Sequence, residues 1–261
     1  MLQVYTWEPN ANSGKPLLCL HEKGVPFTHH YIDMGKLEQF SPEFLAINPD
    51  GTIPAVVHDG FVMTESTPIM EYIDDAFEGP ALRPDSPSAR WRMRQVMRYM
   101  DNVVAPSLAM LASNRLAAPR YAAMDPEEKQ RELDKIPLPE RRAAWEKLMF
   151  GKTPQADLDE SARRIAQSFA AFEGLLGETQ FLAGDAFSLA DINVMATFYH
   201  LPQSYPEEVN DRRRPNLMAW LRRCHAREGL QRGFATGRGF ITQRAAEVRR
   251  LLDVGEVAAG C

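Results

Sequence analysis

The pattern of apolar residues changes at a proline-rich segment, residues 80–87, and this change divides the chain into two parts. Three prolines among eight residues prevent a continuous helix or strand across the segment. Strand-like alternation occurs before it, whereas helical spacing dominates after it. We therefore expect two domains, residues 1–79 and residues 88–261, joined by a linker at residues 80–87.

The first part alternates strands and helices in the order βαβαββα. Its clearest local signal is Asp59-Gly60, a hairpin turn between two short apolar runs. Gly24 is placed to end the first helix, and Ser66 to begin the last. The predicted elements are strand 2–6, a helix after Ser13, strand 27–32, helix 38–47, strands 55–58 and 61–63, and helix 66–77.

The second part is predicted to be all-α, which makes the chain an α+β protein. Ser188 and Asp191 are spaced as a capping box and mark one helix start clearly. The predicted helices are residues 89–116, 126–135, 139–150, 158–176, 189–201, 216–227 and 240–252.

Composition narrows the class of partner. The chain has 261 residues, 44% of them hydrophobic, and a formal net charge of -5, so a nucleic-acid partner is not expected. Cys19, Cys224 and Cys261 form no CxxC pair, which favours free thiols in a reducing compartment. No apolar run reaches the roughly 20 residues of a membrane span, and no signal peptide is recognised. We expect a cytoplasmic protein without a membrane partner.

Two sequence features argue against common cofactors. His29 and His30 are neighbours in a predicted strand, so their side chains point to opposite faces and cannot share a metal ion. The chain also lacks GxGxxG and GxxxxGK[ST], which bind dinucleotides and nucleoside triphosphates. No metal site is expected.

The run NPDGTIPA at residues 48–55 places Pro54 directly before a strand. Proline donates no hydrogen bond to a sheet, so we expect the main chain of Thr52 and Ile53 to be free for an outside partner. A cis bond before Pro54 would hold that main chain exposed. An extended peptide can bind there by main-chain hydrogen bonds.

Glu65 and Ser66 lie at the start of a predicted helix. One interpretation is structural, with Ser66 capping the helix and Glu65 in solvent. The other is functional: the helix N-terminus attracts an anion while Glu65 pairs with an ammonium group. Together these two features suit an α-amino acid head group, which carries both charges.

These motifs, with the proline-rich linker and the run FLAGDAFSLAD at residues 181–191, resemble the glutathione transferase superfamily. The resemblance implies a thioredoxin-like first domain that binds glutathione as cosubstrate, and usually a homodimer. It implies that Thr52 and Ile53, next to Pro54, hold the cysteinyl main chain, and that Glu65 and Ser66 hold the γ-glutamyl end. Gln39 stands where many members bind the glycyl carboxylate.

The first loop brings Asn12 and Ser13 to the start of the first helix. A thiol with a pKa of about 8.5 is mostly protonated at neutral pH, and a nearby donor favours the thiolate. Ser13 or Asn12 is therefore the candidate thiol activator, as a serine is in serine-type transferases. For Ser13 alone, the plainer interpretation is an N-cap.

A narrower resemblance is to bacterial glutathione-dependent β-etherases, which cleave β-aryl ethers derived from lignin. It rests on NSGKP at residues 12–16, IPLPE at residues 136–140, and the long insertion around the second motif. Trp145 and Phe150 in that insertion, Met97 on a preceding helix and Trp7 in the first loop are the expected walls of an aromatic substrate pocket. The alternative is an insertion that packs only on its own domain.

The predicted reaction is attack of the glutathione thiolate on the carbon that carries the aryloxy group, which yields a thioether and a phenol. Two alternatives stay open. One is a general glutathione transferase or isomerase of other electrophiles. The other is a transferase-like interaction module without catalysis.

Overall fold

A computed structural model describes residues 1–255, and it confirms the predicted order of strands and helices in the first part of the chain. All four predicted strands, and two of the three predicted helices, begin and end within one or two residues of the expected positions. The elements are β1 Leu2–Thr6, α1 Ala11–Lys23, β2 Thr28–Tyr31, α2 Pro42–Leu45, β3 Ala55–His58, β4 Phe61–Thr64 and α3 Ser66–Ala76.

The predicted helix at residues 38–47 is wrong in detail. Ser41, the residue before Pro42, has an extended backbone with φ -69° and ψ 149°, which breaks the helix inside its predicted bounds. Two single 3-10 turns, Met34–Lys36 and Glu38–Phe40, precede the short helix α2. Ser41 then caps α2 by accepting a hydrogen bond from the main-chain N–H of Phe44.

The four strands form one mixed sheet in the order β2-β1-β3-β4. β1 and β2 are parallel because α1 crosses between them, whereas β3 pairs antiparallel with both β1 and β4. Gly24 ends α1 with a φ of 69°, as predicted. This mixed sheet with α1 and α3 is the thioredoxin-like arrangement expected from the sequence.

Helices follow the sheet throughout the described second part. They are α4 Pro87–Tyr99, α5 Ala105–Leu116, α6 Ala118–Ala122, α7 Pro126–Asp134, α8 Pro139–Met149, α9 Gln155–Glu178, α10 Leu189–Phe198, α11 Leu201–Ser204, α12 Pro215–His225, α13 Glu228–Phe234 and α14 Phe240–Leu251. The short helices α6, α11 and α13 were not predicted. The single helix expected at residues 89–116 contains a π-helical turn, Met100–Val104, because Pro106 has no N–H to continue the regular ladder.

The helix start at α10 carries the predicted capping box. The side chains of Ser188 and Asp191 each bond the other residue's main chain, and the indole of Trp220 also donates to Asp191, at 2.8 Å. Asp191 is fully buried, and burial raises the pKa of its carboxyl despite these donors. The network holds α10 and α12 at the centre of the helical core.

Contacts within the chain group it into two compact units. One comprises Met1–Ile32, Ile53–Met100 and the chain from Phe169 onward, and the other comprises Asp33–Thr52 and Asp101–Ser168. The first unit contains the sheet, with α1 packed against α3, α10 and α13. The second has its own core of Tyr121, Leu133, Ile136 and Met149. The linker at residues 80–87 stays a prediction.

Two observations concern partners and thiols. Within residues 1–255, no helix combines the length and the apolar composition needed to cross a membrane. Cys19 and Cys224 are buried free thiols, as predicted, while Cys261 lies outside the described residues. Burial raises the pKa of both thiols well above the ordinary value, which favours the protonated form.

Candidate active site

The register of the sheet brings three separate segments to one end. Tyr5 pairs with Ala55, and Ala55 pairs with Thr64. One step further along the ladder, Pro54 therefore lies between Thr6 and Glu65. The loop after β1, the residues before β3 and the start of α3 meet there, and this meeting point is the candidate site.

Pro54 follows a cis peptide bond from Ile53, as the sequence suggested. Within residues 1–255, the main-chain N–H and carbonyl of Ile53 have no hydrogen-bond partner. The expectation for Thr52 needs a correction, because its carbonyl already accepts from the side-chain amide of Asn48 at 2.7 Å. Asn48 also donates to the Thr52 hydroxyl, so this residue is held rigidly rather than left free.

The start of α3 is open to an anion. No side chain caps this helix, so the structural interpretation of Ser66 as a cap is wrong. Ser66 is 7% exposed, and the exposed Glu65 precedes it with a φ of 68°, which is rare outside glycine. A strained residue at an uncapped helix start is typical of a binding site.

Ser13 lies in the first turn of α1 but does not cap it. The N-cap position is Asn10, and the hydroxyl oxygen of Ser13 instead accepts the main-chain N–H of Trp7 at 2.6 Å. Gly14 is required beside it, since a Cβ there would lie 2.5 Å from the main-chain carbon of Pro9. With its oxygen occupied, the Ser13 hydroxyl retains a proton to donate.

Asn12 is exposed, and its carboxamide oxygen accepts from the ammonium of Lys15 at 2.9 Å. Lys15 was not among the predicted site residues, yet it is 0% exposed although lysine is rarely buried. Lys15 follows Asn12 by three residues on one helix, and this spacing could have predicted the contact between their side chains.

The carboxylate of Glu8 is a second feature that was missed. It is 1% exposed and accepts from the Tyr31 hydroxyl at 2.6 Å and from the main-chain N–H of Arg238 at 3.1 Å. The segment between α13 and α14, residues 235–239, is thus hydrogen-bonded to the loop after β1 at Glu8, the residue that follows Trp7. Gly237 is needed for this approach, because a Cβ there would lie 2.6 Å from the Glu8 carboxylate.

Gln39 belongs to the second compact unit, within the turn Glu38–Phe40. It is 2% exposed, and its side-chain oxygen has no hydrogen-bond partner within residues 1–255. An unpaired buried amide oxygen is costly, so this site suits a ligand that donates a hydrogen bond.

The predicted aromatic residues lie in different environments. Trp145 is half-buried, packs edge-to-face on Tyr121 with ring centroids 6.0 Å apart, and lines a cavity of about 460 Å³. Phe150 lies outside that lining, with an ammonium group 5.2 Å from its centroid and another at 5.3 Å. Met97 is 1% exposed and Trp7 half-buried. The insertion therefore has a core of its own and also a cavity.

The cavity with Trp145 lies wholly within the second unit. Its lining is mainly apolar, with Met110 and Leu148, and it also includes the amide of Asn114 and the charged side chains of Glu140, Lys147 and Asp157. Its size and composition suit one aromatic ring with a polar substituent. Among the residues that the structure describes, no cluster of three or more His, Cys, Asp or Glu side chains is placed to hold a metal ion.

Comparison with known proteins gives consistent results. The family model described as "Glutathione S-transferase, N-terminal domain" matches residues 11–76, and "Glutathione S-transferase, C-terminal domain" matches residues 111–228. Protein LigF of Sphingobium sp. strain SYK-6 is 36% identical over 239 residues, which cover 89% of this chain and 93% of LigF. Glutathione S-transferase F10 of Arabidopsis thaliana is 28% identical over 221 residues, covering 83% of this chain and 89% of that protein.

Solved structures agree with the sequence comparison. The crystal structure of beta-etherase LigF from Sphingobium sp. strain SYK-6 superposes with a TM-score of 0.86 at 35% identity, covering 90% of this chain and 99% of LigF. Glutathione transferase F7 from Populus trichocarpa superposes with a TM-score of 0.68 at 24% identity, over 90% of this chain and 99% of that one. From its sequence and its fold alike, the chain belongs to the glutathione S-transferase family.

Proposed function

We propose that this protein is a glutathione-dependent β-etherase that cleaves β-aryl ethers of lignin-derived aromatic ketones. The observation that carries the proposal is the similarity to beta-etherase LigF over nearly the whole chain, at 36% identity and a TM-score of 0.86. The pair of hydrogen-bond donors in the first turn of α1, Asn12 and Ser13, supports the same chemistry, because a thiol must be ionised before it can attack carbon.

The reaction is a substitution in which one bond forms and one breaks. The sulfur of glutathione forms a C–S bond to the carbon beside the ketone. The C–O bond from that carbon to the aryloxy group breaks, and its electron pair leaves with the oxygen. The phenolate then takes a proton from water, so the products are a glutathione thioether and a phenol.

Glutathione is the consumed cosubstrate, and the end of the sheet fits its γ-glutamyl and cysteinyl parts. Glu65 pairs with the α-ammonium group, while the uncapped start of α3 at Ser66 receives the α-carboxylate. The unpaired main chain of Ile53, held by cis Pro54, binds the cysteinyl backbone in the manner of an added strand.

Two further residues complete the proposed glutathione site. Thr52 contributes main chain on the cysteinyl side, and its carbonyl keeps one lone pair after accepting from Asn48. Gln39 binds the glycyl end, where its amide donates to the carboxylate and its unpaired oxygen accepts an N–H. No metal takes part in this proposal.

Thiol activation falls to Ser13 and Asn12. Each has its oxygen already engaged by a protein N–H donor, at 2.6 Å for Ser13 and 2.9 Å for Asn12. The hydrogens of the hydroxyl and of the amide therefore remain for the sulfur. A donor aimed at a thiolate lowers the pKa of the thiol, because it stabilises only the charged form.

The aromatic substrate is proposed to contact Trp7, Met97, Trp145 and Phe150. Trp145 carries most of this assignment, since it already lines an apolar cavity of suitable size. Phe150 belongs to the same compact unit as Trp145, whereas Trp7 and the 1% exposed Met97 belong to the other unit.

A homodimer in the cytoplasm completes the proposal. β4 is an edge strand whose Phe61 is 62% exposed, and Trp91 on α4 is 64% exposed. Exposed large apolar side chains on an edge strand are typical of a protein interaction surface. A second copy of the same chain is the partner typical of the family. The two buried free thiols fit a reducing compartment.

The first experiment uses separate enantiomers of a β-aryl ether ketone with and without glutathione, followed by identification of the products. We expect release of a free phenol and formation of a glutathione thioether, for one enantiomer in preference to the other. Turnover of chlorodinitrobenzene alone would favour a general transferase. Equal turnover with dithiothreitol, or none with any electrophile, would remove the β-etherase assignment.

A variant test addresses the glutathione site. Glu65→Gln is expected to raise the KM for glutathione roughly tenfold to a hundredfold, because a hydrogen bond to a charged group is worth about 1.5 to 3 kcal/mol. Glu127→Gln is the matched control, since Glu127 is also an exposed acid at a helix start, that of α7. Equal KM values in the two variants would contradict the role of Glu65.

A further inference from the structure

Lys15 is an unusual residue for the position it occupies. Its side chain is 0% exposed in the first helix, two residues after Ser13. Burial of an ammonium group costs free energy unless polar partners surround it. Its Nζ lies 2.9 Å from the carboxamide oxygen of Asn12, one of the two proposed thiol activators.

The chemistry of lysine determines which end of the Asn12 amide faces inward. An ammonium group has hydrogens to donate and no lone pair to accept with. The atom of Asn12 that contacts Lys15 must therefore be the oxygen. Because the amide oxygen and nitrogen lie on opposite sides of the same carbon, the NH2 group then points away from Lys15.

Asn12 is exposed while Lys15 is buried, so the NH2 group turns toward the open side of the first loop. The hydrogen bond from a cation also polarises the amide and strengthens its own N–H as a donor. Ser13 is similar in this respect, because its hydroxyl oxygen already accepts the main-chain N–H of Trp7 and its hydrogen is left to donate.

We infer that Lys15 is a positioning residue that holds the carboxamide of Asn12 with its NH2 group turned outward, ready to donate to the glutathione sulfur. The inference rests on the proposed function, because it assumes that Asn12 acts on that sulfur. Lys15 itself touches neither glutathione nor the aromatic substrate. A donor held in place before the reaction begins loses nothing to reorientation when charge forms on sulfur.

A double-mutant cycle on the full-length protein tests this role, with Lys15→Met, Asn12→Ala and the double variant. We expect Lys15→Met and Asn12→Ala each to lower kcat, by roughly tenfold to a hundredfold, with an unchanged KM for glutathione. The double variant should be no slower than Asn12→Ala alone. Multiplying effects in the double variant would overturn the inference, because they would show that Lys15 acts independently of Asn12.

Lys23→Met is the matched control. Lys23 is a second buried lysine of α1, and it donates to the carboxylate of Asp74 at 3.1 Å. Loss of this ammonium should lower Tm while kcat per folded molecule stays near wild type. Lys15→Arg retains a cationic donor and should recover most of the activity that Lys15→Met loses. An arginine variant as slow as the methionine variant, at equal folded fraction, would contradict the donor role.

The wild-type protein gives an independent readout in case Lys15→Met fails to fold. Nuclear magnetic resonance relaxation reports the order of the Asn12 side-chain amide, whose signals are identified by their loss in Asn12→Ala. A high order parameter without glutathione is expected, and free rotation would overturn the inference. A wild-type protein with no glutathione-dependent activity would instead refute the proposed function, whereas activity with multiplying effects refutes the role of Lys15 alone.

Discussion

Replacing Ser13 with alanine separates two roles of one hydroxyl group. The oxygen of Ser13 accepts the main-chain N–H of Trp7 at 2.6 Å, and its hydrogen is the proposed donor to the glutathione sulfur. The variant Ser13→Ala removes both interactions. The first loss acts on folding, and the second acts on the ionisation of the bound thiol, so two measurements distinguish them.

The two magnitudes follow from the structure. Trp7 is half-buried, so its N–H regains some contact with water, and we expect a loss of about 1 kcal/mol in folding free energy. For a chain of this size that corresponds to a fall in Tm of roughly 2 to 4 °C. Loss of a hydrogen bond to the charged sulfur, worth about 1.5 to 3 kcal/mol, raises the thiol pKa by about one to two units.

The assay is the pH dependence of kcat/KM for the ether substrate at saturating glutathione, measured in parallel with thermal unfolding. Below the wild-type pKa of the bound thiol, the variant should be roughly tenfold to a hundredfold slower, because less of the bound glutathione is ionised. The difference narrows as the pH rises toward the higher pKa of the variant. Above that pKa its rate should rise toward that of the wild type.

Ser168→Ala is the matched control for this change. Ser168 is 0% exposed, and its hydroxyl donates to the Ile165 carbonyl at 2.7 Å inside α9. It should lose stability without any shift of the pH profile. If Ser13→Ala also leaves the midpoint of the profile unchanged, the hydroxyl does not stabilise the thiolate, and the assignment of Ser13 is refuted.

Three further predictions test other parts of the molecule. Gly237→Ala should lower stability by about 1 to 3 kcal/mol, because its Cβ would lie 2.6 Å from the Glu8 carboxylate, whereas Gly174→Ala, with no atom within 4 Å, should be neutral or stabilising in the same thermal melts. Burial lowers the pKa of His225 from 6.5 to about 4, so the unfolded chain binds more protons in that range and stability is lost as the pH falls through it. In urea titrations, the fall in unfolding free energy from pH 7 to pH 5 should be smaller for His225→Asn than for the wild type. An equal fall in the two proteins would show that His225 does not cause it. Phe61→Asp should convert the proposed dimer to a monomer in light scattering, and an unchanged dimer mass would exclude Phe61 from the interface.

The local elements of this fold could be predicted from the sequence because their signals lie within a few residues. Asp59-Gly60 determines its hairpin through its own backbone preferences, and Gly24 ends α1 for the same reason. Ser188 and Asp191 are three residues apart, so their capping box was readable directly. The position of Pro54 directly before a strand likewise predicted the unpaired main chain of Ile53.

Errors arose where a single residue or a distant partner overrode the pattern. Ser41 adopts an extended conformation before Pro42, and this divides the helix expected at residues 38–47 into a 3-10 turn and the short helix α2. The plainer interpretation of Ser13 was an N-cap, yet its hydroxyl oxygen accepts the main-chain N–H of Trp7 instead. The carbonyl of Thr52 was expected to be free, but Asn48 reaches it.

The sequence by itself therefore determined the order of strands and helices, the hairpin, the helix starts and the residue types available for binding glutathione. Only the tertiary structure decided which of these residues meet, since Thr6, Pro54 and Glu65 become neighbours through strand pairing across sixty residues of chain. It also decided that Lys15 and Glu8 are buried beside the first loop. Burial depends on which distant side chains cover a residue, and no pattern within a few positions contains that information.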